Sequence, residues 1–114
     1  MPPEPLTPAV HAILLALAPE PQHGYAIMQQ ARDHGLSMGP GTLYGSLNRL
    51  LESQLILEID PPRSSAADDP TQRRRFYKLT AAGRQALAAE TQRMHRAVTA
   101  ARRHGIPITA PKEA

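Results

Sequence analysis

The chain has no cysteine and no tryptophan, and only one Phe and three Tyr among its 114 residues. The missing cysteines exclude a disulfide framework, a thiolate nucleophile and any Cys-based zinc site. A domain of this size buries only about two-thirds of its unfolded surface and here gains no covalent staple, so a partner subunit is expected to complete it. The absence of thiols is compatible with a reducing compartment, and the expected location is cytoplasmic. Long apolar runs are also lacking: residues 9–18 are interrupted by His11 and fall short of the roughly 20 residues that cross a bilayer, so no membrane role is expected. The segment before them carries Glu4 and no Lys or Arg, the opposite of a signal peptide's basic start. Enzyme patterns are missing as well. His11, His23, His34, His95 and His104 form no zinc-binding spacing, and Gly39, Gly41 and Gly45 match neither a phosphate-binding loop nor a dinucleotide fingerprint. The sequence therefore predicts no catalytic residue, no metal and no cofactor.

What is present is an uneven charge. Residues 1–60 hold two basic groups against six acidic ones, a balance of −4, whereas residues 61–114 hold eleven against four, a balance of +7. The second half is the one that would seek an anion.

Hydrophobic spacing divides the chain. Pro2, Pro3 and Pro5 keep the start extended, after which Val10, Ile13, Leu14 and Leu17 recur at helical spacing, with Thr7 placed as N-cap and Pro8 at the first helical position. Pro19 and Pro21 end this helix. A second helix is predicted over 24–34, closed by Gly35 in the left-handed conformation. Gly39 and Pro40 open a third, whose buried stripe is Leu43, Leu47, Leu50 and Leu51 and which ends near Gln54. Residues 55–60 and 73–79 read as two strands, separated by a polar stretch, 61–72, that is longer than an ordinary hairpin turn and is expected to be a mobile tip. Thr80 caps a last helix running to about His104, roughly 37 Å long at 1.5 Å per residue and longer than a domain of this size needs.

Three helices followed by a hairpin is the order of a winged helix-turn-helix, so the predicted fold is mainly α with a small antiparallel β-hairpin and a long C-terminal helix. With the leucines of helix three inward, Thr42, Tyr44, Gly45, Ser46, Asn48 and Arg49 are left for its other faces. Small and hydrogen-bonding groups let a helix approach a DNA groove closely, where Asn pairs with adenine and Arg with guanine or phosphate. An ordinary solvated helix would carry more Lys and Glu. Arg73, Arg74 and Arg75, with Arg63 and Lys78 near them, stand where a wing would meet the backbone, while Asp68 and Asp69 argue that the tip itself stays off phosphate.

Leu6-Thr7, residues 12–17, His23-Gly24-Tyr25-Ala26-Ile27, Pro40-Gly41-Thr42-Leu43-Tyr44, Leu47-Asn48-Arg49-Leu50, Leu55-Ile56 and residues 75–83 form an ordered set over about residues 6–88. The set resembles the PadR family of transcriptional regulators. The resemblance implies a dimeric winged-helix repressor of a palindromic promoter site, often released by a small molecule. It also implies that Thr42 and Tyr44 sit at the DNA surface, that Tyr77 packs behind the wing, and that His23-Gly24-Tyr25 is a structural start to helix two. Three positions depart from the family pattern: Gly39 where Ser is common, Asn48 where Lys is frequent, and Gln54 where Gly is common. Without glycine, Gln54 must either bear a left-handed backbone or let the helix end differently.

On the last helix Leu87, Thr91, Met94, Val98 and Ala101 are spaced 4, 3, 4, 3, the seam of a coiled coil. Packing back on its own domain is the alternative; the helix length and the resemblance favour dimerisation, with help from helix one. The expected organisation is thus a flexible segment 1–5, a DNA-binding winged helix 6–79, a dimerisation helix 80–104 and a flexible tail 105–114. The expected site comprises Pro40, Thr42, Tyr44, Ser46, Asn48, Arg49, Arg73, Arg74 and Arg75 for double-stranded DNA, with Leu87, Thr91, Met94, Val98 and Ala101 for the second copy. A small-molecule effector is a possible further partner, and the low aromatic content disfavours a flat aromatic one. The competing function is a winged-helix module that binds protein through its acidic first half.

Overall fold

The computed structural model describes residues 5–61 and 75–109. The elements follow one another as α1 (Pro8–Leu17), β1 (Gln22–His23), α2 (Gly24–Asp33), α3 (Pro40–Glu52), β2 (Ile56–Ile59), β3 (Phe76–Leu79) and α4 (Ala81–Arg103). Three helices, a small sheet and a long last helix make the winged helix-turn-helix that the pattern predicts.

Helix α1 lies at the centre, packed against α2, α3, α4 and β3. Its Thr7 side chain accepts a hydrogen bond from the Val10 amide at 3.2 Å, and Pro8 gives up no needed donor at the first position. Ile13, Leu14 and Leu17 are fully enclosed and are joined by Ile27, Leu43, Leu47, Leu50, Ile56, Tyr77, Leu79 and Leu87 in one core. Burying each large aliphatic contributes about 1.5–3 kcal/mol, so α1 alone supplies a sizeable share of the drive to fold.

The sheet has three strands, not two. β1 pairs antiparallel with β3 (Gln22 opposite Tyr77, His23 opposite Phe76), and β3 pairs with β2, giving the order β1-β3-β2. Two residues between Pro21 and Gly24 carry no strand periodicity, so β1 exists only because β3 offers it an edge. The His23 ring packs edge-on against Phe76 at 5.4 Å while its Nδ1 accepts from the Ala26 amide at 3.2 Å, which caps α2 and fixes the structural role of this histidine.

Helices α2, α3 and α4 end in the same way. In each the chain turns left-handed, at Gly35 (φ 88°), Gln54 (φ 61°) and Gly105 (φ 79°), and the next amide returns to a carbonyl five residues back. Gln54 therefore takes the left-handed alternative, at a cost of about 1–2 kcal/mol for a residue with a Cβ. Thr80 holds this turn from outside: its hydroxyl donates to the Gln54 carbonyl at 2.7 Å and its amide to the Leu55 carbonyl at 3.1 Å.

Helix α4 has two unlike parts. Near its start the Thr80 hydroxyl caps Gly83, Arg84 reaches the Ala18 carbonyl at 3.3 Å, and Leu87 enters the core. Gly83 lies so close to the Leu55 carbonyl that a Cβ would overlap it. One turn further, Glu90 accepts the Leu6 amide at 3.1 Å and Thr91 shares a 3.0 Å hydrogen bond with His11. Beyond Thr91 no described residue of α4 is buried. Among the described residues no helix is long and apolar enough to cross a membrane.

Candidate nucleic-acid interface

Helix α3 presents two faces set by its leucines. Leu43, Leu47 and Leu50 are buried, whereas Pro40, Thr42, Tyr44, Asn48 and Arg49 are exposed together with Gly41 and Gly45. Ser46 corrects the sequence reading: at 1% exposure it lies on the buried side, because it continues the 43, 46, 47, 50 stripe at helical spacing. Its hydroxyl is not part of the outer surface. The spacing was visible beforehand, and the small polar side chain concealed it.

Tyr44 is placed by a notch. Gly24, buried at the start of α2, leaves space where its Cβ would come within 2.8 Å of the Tyr44 hydroxyl and 3.3 Å of Leu43. The phenol thus lies across the join of α2 and α3 while remaining half exposed. Tyr25, the next residue on the first turn of α2, is also exposed.

The hairpin adds charge on both of its faces. Lys78 and Leu57 are opposite one another on the outer side, exposed. On the inner side Glu58 faces Tyr77 across the ladder, and Arg75 Nε pairs with Glu58 Oε1 at 3.2 Å. Tyr77 is buried behind the wing; burial, and next the Glu58 charge, push its hydroxyl pKa up against the opposing effect of Arg75, so it stays protonated at neutral pH. Arg73 and Arg74 lie outside the described residues, as do Arg63, Asp68, Asp69 and nearly all of the expected mobile tip. Glu58 as the partner of Arg75 escaped the sequence reading, since only the strand register brings residues 58 and 75 together.

The expected dimer seam is also divided. Leu87 belongs to the core of its own domain and Thr91 to the contact with α1, because α4 begins against that core and leaves it only after three turns. Met94 is 46% exposed, and Val98 and Ala101 are half-buried along the same side. Among the described residues no group of His, Cys, Asp or Glu could hold a metal ion.

Comparison with known proteins places this arrangement. The transcriptional regulator PadR-like family matches residues 13–89, which run from α1 into α4. A 37.1 kDa protein in transposon TN4556 of Streptomyces fradiae is 40% identical over 87 residues, 74% of this chain but 22% of that protein, so the chain spans about a fifth of the length of this curated relative. A PadR-like transcription factor from Bacteroides fragilis superposes with a TM-score of 0.63 at 27% identity, over 83% of this chain and 86% of that one. A PadR family transcription regulator from Clostridium difficile shares the fold with a TM-score of 0.73 at 23% identity, over 86% of this chain and 98% of that one. Members of the matched family are transcription regulators, not enzymes. With most of its length from the first core helix to the start of the last one matched, the chain belongs to the PadR-like family of transcriptional regulators.

Proposed function

We propose that the chain is a DNA-binding transcriptional regulator in the cytoplasm, acting as a homodimeric repressor on a palindromic operator. The observation that carries this reading is the outer face of α3. It is nearly free of charge, lined by Pro40, Thr42, Tyr44, Asn48 and Arg49, and flanked by a hairpin that bears Arg75 and Lys78. A face whose only long charged side chain is Arg49 can seat deeply in a major groove, Asn48 and Arg49 then reading base edges or phosphate. Arg73 and Arg74 enter the reading from sequence alone, as backbone charge.

The second copy is met, in this reading, by the outer part of α4 through Met94, Val98 and Ala101. Two winged units on a two-fold axis would then read the two halves of a palindrome. Release by a small-molecule effector completes the reading.

Selection from a random duplex pool, followed by titration at several salt concentrations, tests it. A recovered palindrome and an affinity that falls steeply with salt support the reading; no retention on any duplex at low salt favours the protein-binding alternative. In Asn48→Ala, preference should relax at one position per half-site by about 1–3 kcal/mol, and an unchanged consensus removes Asn48 from base reading.

A further inference from the structure

A carboxylate is out of place on a hairpin meant for phosphate. We propose that Glu58 is the resident counter-charge of Arg75, which binding to a nucleic-acid backbone exchanges for a phosphate, so that Glu58 sets how tightly the hairpin holds any duplex. The inference rests on the DNA-binding reading above.

The geometry defines a three-member array. Glu58 stands directly opposite Tyr77 in the β2–β3 ladder, and Arg75 precedes Tyr77 by two residues, so the alternation of an extended chain puts all three on one side of the sheet. This is the inner side, because Tyr77 shares the core with Ile56 and Leu79. Arg75 accordingly pairs with Glu58 at 3.2 Å. The guanidinium is therefore held on the side of the hairpin that adjoins α3, not on the outer side occupied by Lys78 and Leu57.

The strength of the pair fits an exchange. Both side chains are open to water, Arg75 at 75% and Glu58 at 41% exposure, and an ion pair of this kind is worth at most about fivefold in an equilibrium. A phosphate accepts two parallel N–H bonds from a guanidinium as readily as a carboxylate does, and on DNA it comes with its neighbours' charge. The partner is thus weak enough to be displaced. Until it is displaced, the carboxylate occupies the Arg75 guanidinium, and the duplex meets one free guanidinium fewer.

The test is a double-mutant cycle on the whole chain, read by fluorescence anisotropy with a random-sequence duplex, each variant first checked by thermal melting. Glu58→Gln should bind about two- to fivefold more tightly at low salt. Its log K should fall more steeply with log salt, by up to about 0.9. Arg75→Ala should bind more weakly than wild type, and adding Glu58→Gln to it should restore nothing. Glu58→Thr, which also removes the carboxylate, should repeat the gain. A gain that persists without Arg75 overturns the proposal in favour of a general charge effect. A loss of affinity in Glu58→Gln overturns it too, showing that the carboxylate aims Arg75 at the DNA instead of competing for it. If the wild-type chain binds no duplex at any salt, the DNA-binding reading itself falls and takes the exchange with it; a wild type that binds while Glu58→Gln matches it removes the exchange alone.

Discussion

The inner and outer parts of α4 share one helix and one apolar spacing, yet they have opposite surroundings. From Thr80 to Thr91 almost every turn is tied to the domain, through the Thr80 cap, Gly83 against Leu55, Arg84 on Ala18, Leu87 in the core, Glu90 on Leu6 and Thr91 on His11. From Met94 onward the same spacing continues with no described residue buried. A heptad pattern thus does not distinguish an intramolecular seam from an intermolecular one. What decides is how far the helix has travelled from the core that starts it.

Substitutions can break this contrast in graded ways. The largest effect is expected at Gly83→Ala, where the added methyl would overlap a backbone carbonyl that cannot rotate away and would push α4 off β3. A loss of about 3 kcal/mol or more in denaturant melting is expected, and a near-neutral result would mean that the start of α4 is loosely held. Next come two substitutions that should separate the parts. Leu87→Ala should cost about 2–3 kcal/mol through a cavity in the core, yet leave subunit association intact once the chain is folded. Met94→Glu should do the reverse, barely changing the melting of the isolated subunit while abolishing dimers at micromolar concentration, because two carboxylates would meet across a two-fold axis in an apolar setting. Light scattering on both variants reads the difference; a Met94→Glu dimer would move the interface elsewhere, with α1 the first candidate. The smallest effect marks the border. Thr91→Val removes the hydrogen bond to His11 and should cost about 1 kcal/mol with no change in oligomeric state. A dissociated Thr91→Val would extend the interface inward past this border.

Much of the fold was legible because it follows from local rules. The Thr7, Pro8, Gly35, Gly39, Pro40, Thr80 and Gly105 punctuation marks the helix ends in the sequence and marks them again in the structure, since caps and left-handed turns depend on a few adjacent residues. The outer face of α3 was legible for the same reason, as what remains when its leucines are buried. Ser46 was misplaced because polarity was weighed above spacing. β1 was missed because two residues have no period. The Tyr44 notch was hidden because Gly24 lies twenty residues away on another helix.

By itself, then, the sequence determined the succession of helices, the two strands of the hairpin, the absence of thiols, the separation of acidic and basic halves, and the family pattern spread over residues 6–88. Those properties are local or additive, and each is fixed by residue type and spacing. The tertiary structure decided which apolar positions of α4 are consumed at home and which remain available, that Gln54 bears a left-handed turn held by Thr80, that β3 recruits a third strand, and that Arg75 already has an anion in Glu58. Each of these depends on two segments distant in the chain meeting at a particular register, and register is set by the packing of the whole core.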